Sequence, residues 1–296
     1  MKNLEKLAEL ANALPEPYKA NATNLVALMG EVIEGIGDTP REWKMGHLKV
    51  VQGTSDRSKL PKGTAIGSMV LGDEIKVAPF EVIPMRSFEQ RQMWDSNPEN
   101  PRMLCNSPDA KTGYAFGNCR ACSHGTFNVE TNKSDCNKGV SVICITADLS
   151  NIFLAQFSKS QYAGGKDWLK LMSDAKVATY KRTYNLRTET SKKSKNVEVL
   201  LAANGAPVAK ELLEFLSELF ARVSADREQH LVSFYEYLKT RAANTASVAL
   251  PHAQQFLDAP SGDGSAGVTE VDAEVVETVA PAKGKKAATD NVDYKL

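Results

Sequence analysis

Four cysteines spaced C-x13-C-x2-C-x13-C constrain this chain more than any other feature of it. They are Cys105, Cys119, Cys122 and Cys136. A C-x-x-C pair lets two thiolates grip one ion from a tight turn, and "GNCRACSHG" supplies that turn with glycine on both sides. One cysteine from each flank would complete the tetrahedral, all-thiolate set that holds structural zinc. The flanks "LCNSPDAKTG" and "KSDCNKG" read as loops. An ion bound there pins about thirty residues that have little apolar material of their own, and it contributes folding free energy rather than chemistry.

Other uses of the thiols fit less well. A thioredoxin-like redox pair belongs at a helix start in a βαβ pattern, whereas this pair sits in a polar loop. Iron–sulfur spacings are typically more compressed, and disulfides are rare in cytosolic chains. A catalytic zinc keeps an open position, and His124, two residues past Cys122, could replace one cysteine in such a site. The fifth cysteine, Cys144, alternates with Val142 and Thr146 in an apolar run and reads as a buried free thiol.

The 296 residues, 42% hydrophobic and 24% charged, are enough for one large or two modest domains with a real core. No run of about 18 apolar residues suggests a membrane span. The first residues carry acids and no apolar h-region, so a secretory leader is not expected either. The expected setting is cytoplasmic. Net charge is zero, but eight acids and four lysines fall from Asp258 onward, which leaves the body at net +4. A mildly basic body with an acidic tail points to a polyanionic partner.

Leu4, Leu7, Leu10 and Leu14 recur at helical spacing, predicting a helix over 2–13 that Pro15 and Pro17 stop. Residues 24–36 are ambiguous between helix and strand. From His47 to Met85, short β-rich runs alternate with Gly, Pro, Asp and Ser clusters. The cysteine-rich insert, 95–138, has little periodicity. "GVSVICITADL" and "NIFLAQFSKS" then read as strands, "DWLKLMSDAKVA" as a short helix, and residues 179–204 as a hairpin around "SKKSKN". Two helices follow, at 207–223 and 225–243, whose apolar face could take a partner or a second copy. Residues 246–296 are poor in aromatics and read as a disordered acidic tail.

Catalytic signatures are missing. There is no phosphate-binding Gly-rich loop, no H-E-x-x-H and no G-x-S-x-G, and the four histidines lie far apart in sequence. The expectation is a binding protein and not an enzyme.

Basic and aromatic residues cluster on the β-rich body. Residues 176–196 carry seven Lys/Arg and one acid. Lys181, Arg182, Arg187, Lys192, Lys193 and Lys195 supply charge there, and Tyr184 supplies a ring. Arg86, Arg91 and Trp94 in "RSFEQRQMW", with Lys159 and Tyr162 in "FSKSQY", extend the same chemistry. Cations that follow phosphates, beside rings that stack on bases, are how single-stranded nucleic acid is held without sequence preference.

The order of features resembles a group of bacteriophage single-stranded DNA-binding proteins with an OB-fold and a zinc-binding insertion. The resemblance rests on "VVQGTSD", "GSMVLGD", "VIPM", the cysteine loop, "VSVICITADL" and "FSKSQYAGGKDWLKLM", and it covers roughly residues 40–225. It implies an α+β chain built mainly from an OB-like β-barrel at 39–205 with a four-cysteine zinc insertion. A helical segment at 1–38, C-terminal helices at 206–245 and the tail would surround that barrel. It implies zinc on the four cysteines and a role in phage DNA replication or recombination, in the cytoplasm of an infected bacterium. Replication proteins are further expected partners through the tail, although "DNVDYKL" places Tyr294 near and not at the end. The alternative function is a zinc-stabilised adaptor that recruits a polymerase or another protein.

Overall fold

A computed structural model describes residues 2–30, 45–95, 103–126, 129, 134–191 and 197–257, with backbone only at 2–3 and 242–257. Helix α1 (Lys2–Ala13) matches the leucine spacing and buries Leu7 and Ala11. Helix α2 (Tyr18–Gly30) settles the ambiguous segment as helix as far as residue 30, burying Ala22, Leu25 and Val26.

The body is a nine-stranded sheet. In chain order its strands are β1 (Gly46–Val50), β2 (Met69–Leu71), β3 (Glu74–Lys76), β4 (Phe80–Trp94), β5 (Met103–Ser107), β8 (Cys136–Thr146), β9 (Ile152–Ser158), β10 (Arg182–Thr190) and β11 (Glu198–Pro207). The short pair β6 (Thr112–Gly113) and β7 (Gly117–Asn118) stands apart in the insert. Spatial order is β11-β10-β4-β8-β9-β1-β2-β3, with β5 also on β4. Every pairing is antiparallel except β1 with β9.

The sheet curls into a half-barrel, and β4 shows why. Its first residues pair with β10 and its last four with β5, while β8 runs along its other edge. The register slips between Pro84 and Arg86, a bulge that bends the strand and increases its twist. The concave side holds Val82, Val142, Cys144, Phe153 and Phe157, and α3 (Tyr162–Asp174) plugs it with Trp168 and Met172. That plug needs glycine. A Cβ on Gly165 would lie 2.6 Å from Phe157 Cβ, and one on Gly164 would lie 2.5 Å from the Leu200 carbonyl oxygen.

The convex side carries Ile83, Met85, Ile143 and Ile145, which pack against α1, α2 and the start of α4 (Leu213–Leu257). Strand β8 is therefore covered on both faces, which accounts for its nearly unbroken apolar run. The fold is α+β, mostly strand, with helix at both ends.

The C-terminal region differs from expectation. Residues 207–212 are the end of β11 and a short 3-10 turn, and one helix, α4, replaces the two expected. No glycine or proline occurs between Leu213 and Leu250, so nothing breaks the chain near Ser224. Residues 1–245 form one compact unit, which includes the segments divided above at 38 and 205. In the second unit, 246–296, the helix continues to Leu257, and 258–296 of the expected tail lie outside the described residues. Among the described residues no helix is long and apolar enough to cross a membrane.

Candidate nucleic-acid interface and cysteine cluster

The convex sheet face changes character along its length. Alternation places Phe88, Gln90, Gln92 and Trp94 of β4 on the face of Ile143 and Leu154. Phe88 and Leu154 pack against the helix-covered core. Beyond them the same face continues as Gln90 opposite Gly139, Gln92 opposite Asn137, and Gln156 and Ser158 on β9. These residues floor a cleft of about 760 Å³. His47 and Lys49 of β1 enter from one side, and the turn Lys159–Gln161 closes an end. Lys159 has φ +52°, an unusual conformation for a residue with a side chain, and lies at the point where β9 gives way to α3. Trp94 stands 43% exposed at the rim. No carboxylate is among the described lining residues, which include two lysines, one histidine and six side-chain amides.

Such a surface can take an anionic chain with flat, polar attachments. Lysines neutralise phosphates, the indole offers a stacking plane, and amides pair with polar edges. Burial and the neighbouring Lys49 lower the pKa of His47 below its ordinary value, so the ring is neutral at pH 7.

The structure brings together only part of the set expected from sequence. Trp94 and Lys159 line the cleft. Lys181 is exposed, but on a 3-10 turn ahead of β10. Arg182 is half-buried and its Nε donates to the Gly205 carbonyl at 3.3 Å. Arg187 is exposed and pairs with Glu189 at 2.8 Å. Arg86 is half-buried, and Tyr162 is half-buried against the concave core with Lys166 over its ring at 5.9 Å. Lys192, Lys193 and Lys195 lie outside the described residues. Tyr184 is a correction. It is 1% exposed and meets Trp168 edge-on at 6.0 Å, so its ring belongs to the core and cannot stack on a base.

Arg91 is also displaced from its expected place. It lies on the opposite face of β4 from Trp94 and lines a separate small cavity with Cys105, Cys119, Cys122 and Cys136. Two of those cysteines arrive on strands and not on loops. Cys105 of β5 and Cys136 of β8 both pair with Met93, one from each side of β4. Cys119 and Cys122 come from the turn beside β7, where the Cys119 N–H donates to the Lys111 carbonyl at 2.8 Å. Burial pushes the Cys136 thiol pKa up, with Arg91 opposing and the three other cysteines adding to the rise. Gly113 is the wall that lets the sulfurs approach, since a Cβ there would lie 2.8 Å from Cys105 Sγ and 3.7 Å from Cys119 Sγ.

Among the described residues no group of three or more His, Cys, Asp or Glu side chains is arranged to hold a metal ion. The four sulfurs thus share one cavity without being drawn into ligand geometry. As a donor set, four thiols around one cavity fit a soft, tetrahedral ion such as zinc. His124 lines the same cavity, but its Nδ1 faces Asp135 at 3.3 Å and its ring lies 4.6 Å from that of Phe116.

Helix α4 fastens this insert to the body. The Arg227 guanidinium lies 3.9 Å over the Phe88 ring and donates to the Pro108 carbonyl, and burial lowers its pKa to about 10. The Tyr235 hydroxyl donates to Asp109, and Arg241 donates to the Tyr114 carbonyl at 2.9 Å.

Comparison with known proteins finds no matching family model, no matching curated protein and no matching solved structure. The functional argument therefore rests on the cleft and the cysteine cavity.

Proposed function

We propose that the protein binds single-stranded DNA across the open end of its convex sheet face, in phage DNA replication or recombination. In this reading the half-barrel is an OB-like scaffold of the kind that carries oligonucleotides on one face. The observation that carries the reading is the cleft itself. It is open and free of carboxylates among its described lining, with Lys49 and Lys159 beside an exposed Trp94. A single strand laid there meets cations along its phosphates and an indole for a base.

Cys105, Cys119, Cys122 and Cys136 would hold a structural zinc ion, which supplies cross-linking of the insert and no reaction chemistry. Among the described residues, the insert is otherwise ordered by the short β6–β7 pair, its pairing to β4, local hydrogen bonds and its α4 contacts. The replication or recombination role is supported by the resemblance in the order of strands, cysteine insert and hairpin.

The alternative reading is an adaptor that recruits a protein partner through the C-terminal helical region. Leu212 of the 3-10 turn and Phe215, Leu216, Leu219 and Val223 of α4 are buried in one core with α1, α2 and the sheet, so this part of the apolar face expected to receive a partner packs within the chain.

Titration of fluorescent oligo-dT by anisotropy tests the proposal. Affinity should fall with salt, with a log–log slope of about −0.7 per phosphate contacted. Absence of binding at low salt removes it.

A further inference from the structure

We propose that the floor of the cleft reads the edge of one nucleobase, with Gln90 as the specificity-determining residue; this rests on the single-strand reading above. Gln90 is only 8% exposed, yet it faces the cleft, and its side-chain amide has no hydrogen-bond partner among the described residues. The amide is not among the sealed, unpaired polar atoms of the described residues, so it opens onto the cleft and is free to pair with whatever occupies it. Only water or a ligand in the cleft can supply this pairing.

The surroundings of Gln90 are shaped for something flat. Gly139 lies directly opposite it on β8 and contributes no side chain. A Cβ there would lie 3.5 Å from Gln90 Cγ and 3.3 Å from the Phe157 carbonyl oxygen, so the depression beside the amide exists because this residue is glycine. Gln156 Nε2 donates to Gln92 Oε1 at 3.0 Å, which orients the Gln92 amide and leaves its N–H groups to donate. Trp94 follows on the same face as the stacking plane, and Lys159 lies beyond as a phosphate contact.

A sequence-blind surface needs rings and cations only. A neutral amide sunk below them adds a donor and an acceptor side by side, the pattern that pairs with the edge of a base. Glutamine fits the adjacent N6–H donor and N7 acceptor of adenine, and unstacked bases of a single strand leave such edges open. The ligand class is therefore a single strand that presents an adenine at this position.

Anisotropy titrations of oligo-dA, oligo-dT and oligo-dC at one salt concentration test this, with the full chain and with Gln90→Met. The native protein should prefer oligo-dA by about tenfold, the size of one good amide–base pair. Gln90→Met keeps the volume of the side chain but not its hydrogen bonds, and should bring the three oligonucleotides to within about twofold while leaving the salt slope unchanged. Gly139→Ala, which fills the depression, should do the same and serves if Gln90→Met fails to fold. Equal affinities in the native protein, or discrimination that survives both substitutions, overturn the inference while single-strand binding stands. No binding of any oligonucleotide overturns both.

Discussion

Gln52 and Glu198, 146 residues apart, exchange two hydrogen bonds. Gln52 Nε2 donates to the Glu198 carbonyl at 2.8 Å, and the Glu198 N–H donates to Gln52 Oε1 at 2.9 Å. A side-chain amide here mimics a strand. Gln161 repeats the device, with Nε2 donating to the same carbonyl at 2.5 Å and Oε1 accepting from the Leu200 N–H at 2.7 Å. The outer edge of β11 would otherwise present unpaired backbone groups. Two glutamines pair its first groups, at Glu198 and Leu200, and draw the far end of the half-barrel back toward β1.

Removing either amide should therefore cost stability out of proportion to its size. Gln52→Ala and Gln161→Ala each leave backbone groups without partners, at about 1–3 kcal/mol per variant. Urea denaturation should show lower midpoints with an unchanged slope. Because both side chains donate to the Glu198 carbonyl, the double variant should depart from additivity. Two independent losses that simply sum would refute the shared clamp.

Trp94 and Tyr184, both aromatic residues of the basic β-rich body, should behave differently. Trp94→Ala should weaken single-strand binding by about 1–3 kcal/mol, roughly fivefold to 160-fold, with little effect on folding. Tyr184→Phe should leave affinity unchanged, because that ring is enclosed by Trp168 and its neighbours. Tyr184→Ala should cost about 3–5 kcal/mol of stability through the cavity it opens. Loss of binding in a stable Tyr184→Phe protein would contradict the placement of that ring.

These residues also show what could be read from sequence. The leucines of α1, the apolar run of β8 and the hairpin around residues 192–196 were legible because local periodicity carries them. Which face of β10 points inward was not, because that depends on α3 crossing beneath it, a contact between Trp168 and Tyr184 with no local signature. Parity in "EQRQMW" places Gln90, Gln92 and Trp94 on one face, but uncharged amides carry no signal in a pattern of charge. The place of Lys49 is not legible in the sequence, because β1 joins β9 through a parallel pairing across the fold. Cys105 and Cys136 were read as loop residues because their strand character comes from Met93, which pairs with both.

Binding should respond to acid through His47. Burial and Lys49 lower its pKa, so the imidazole is neutral at pH 7 and takes a proton only below the usual range. A phosphate in the cleft favours the charged ring, so affinity for oligo-dT should rise as pH falls below 6.5, and His47→Gln should flatten that rise. The free protein should show the opposite trend. The unfolded imidazole binds the proton more readily, so this residue lowers stability as pH falls below its unfolded pKa. A pH profile identical in native and His47→Gln proteins would exclude the residue from the cleft's electrostatics.

The cysteine cavity makes the last prediction, read by metal content and thiol counting together. Purified protein should carry one zinc ion per chain. With the ion in place all five thiols should react slowly with an alkylating reagent, four because they are bound and Cys144 because it is buried and burial raises its pKa well above the ordinary value. A chelator should release four thiols at once and leave Cys144 protected, since the sheet around it does not depend on the insert. Stability should fall with the metal, because a structural ion's binding free energy is folding free energy. Cys105→Ser should reproduce that loss and should loosen the insert's grip on α4 at Pro108 and Asp109, visible as faster exchange of the Lys111 and Thr112 amides that donate to Asp109. Four thiols that react quickly before any chelator is added, in protein whose melting temperature ignores zinc, would show that the cavity holds sulfurs and no ion.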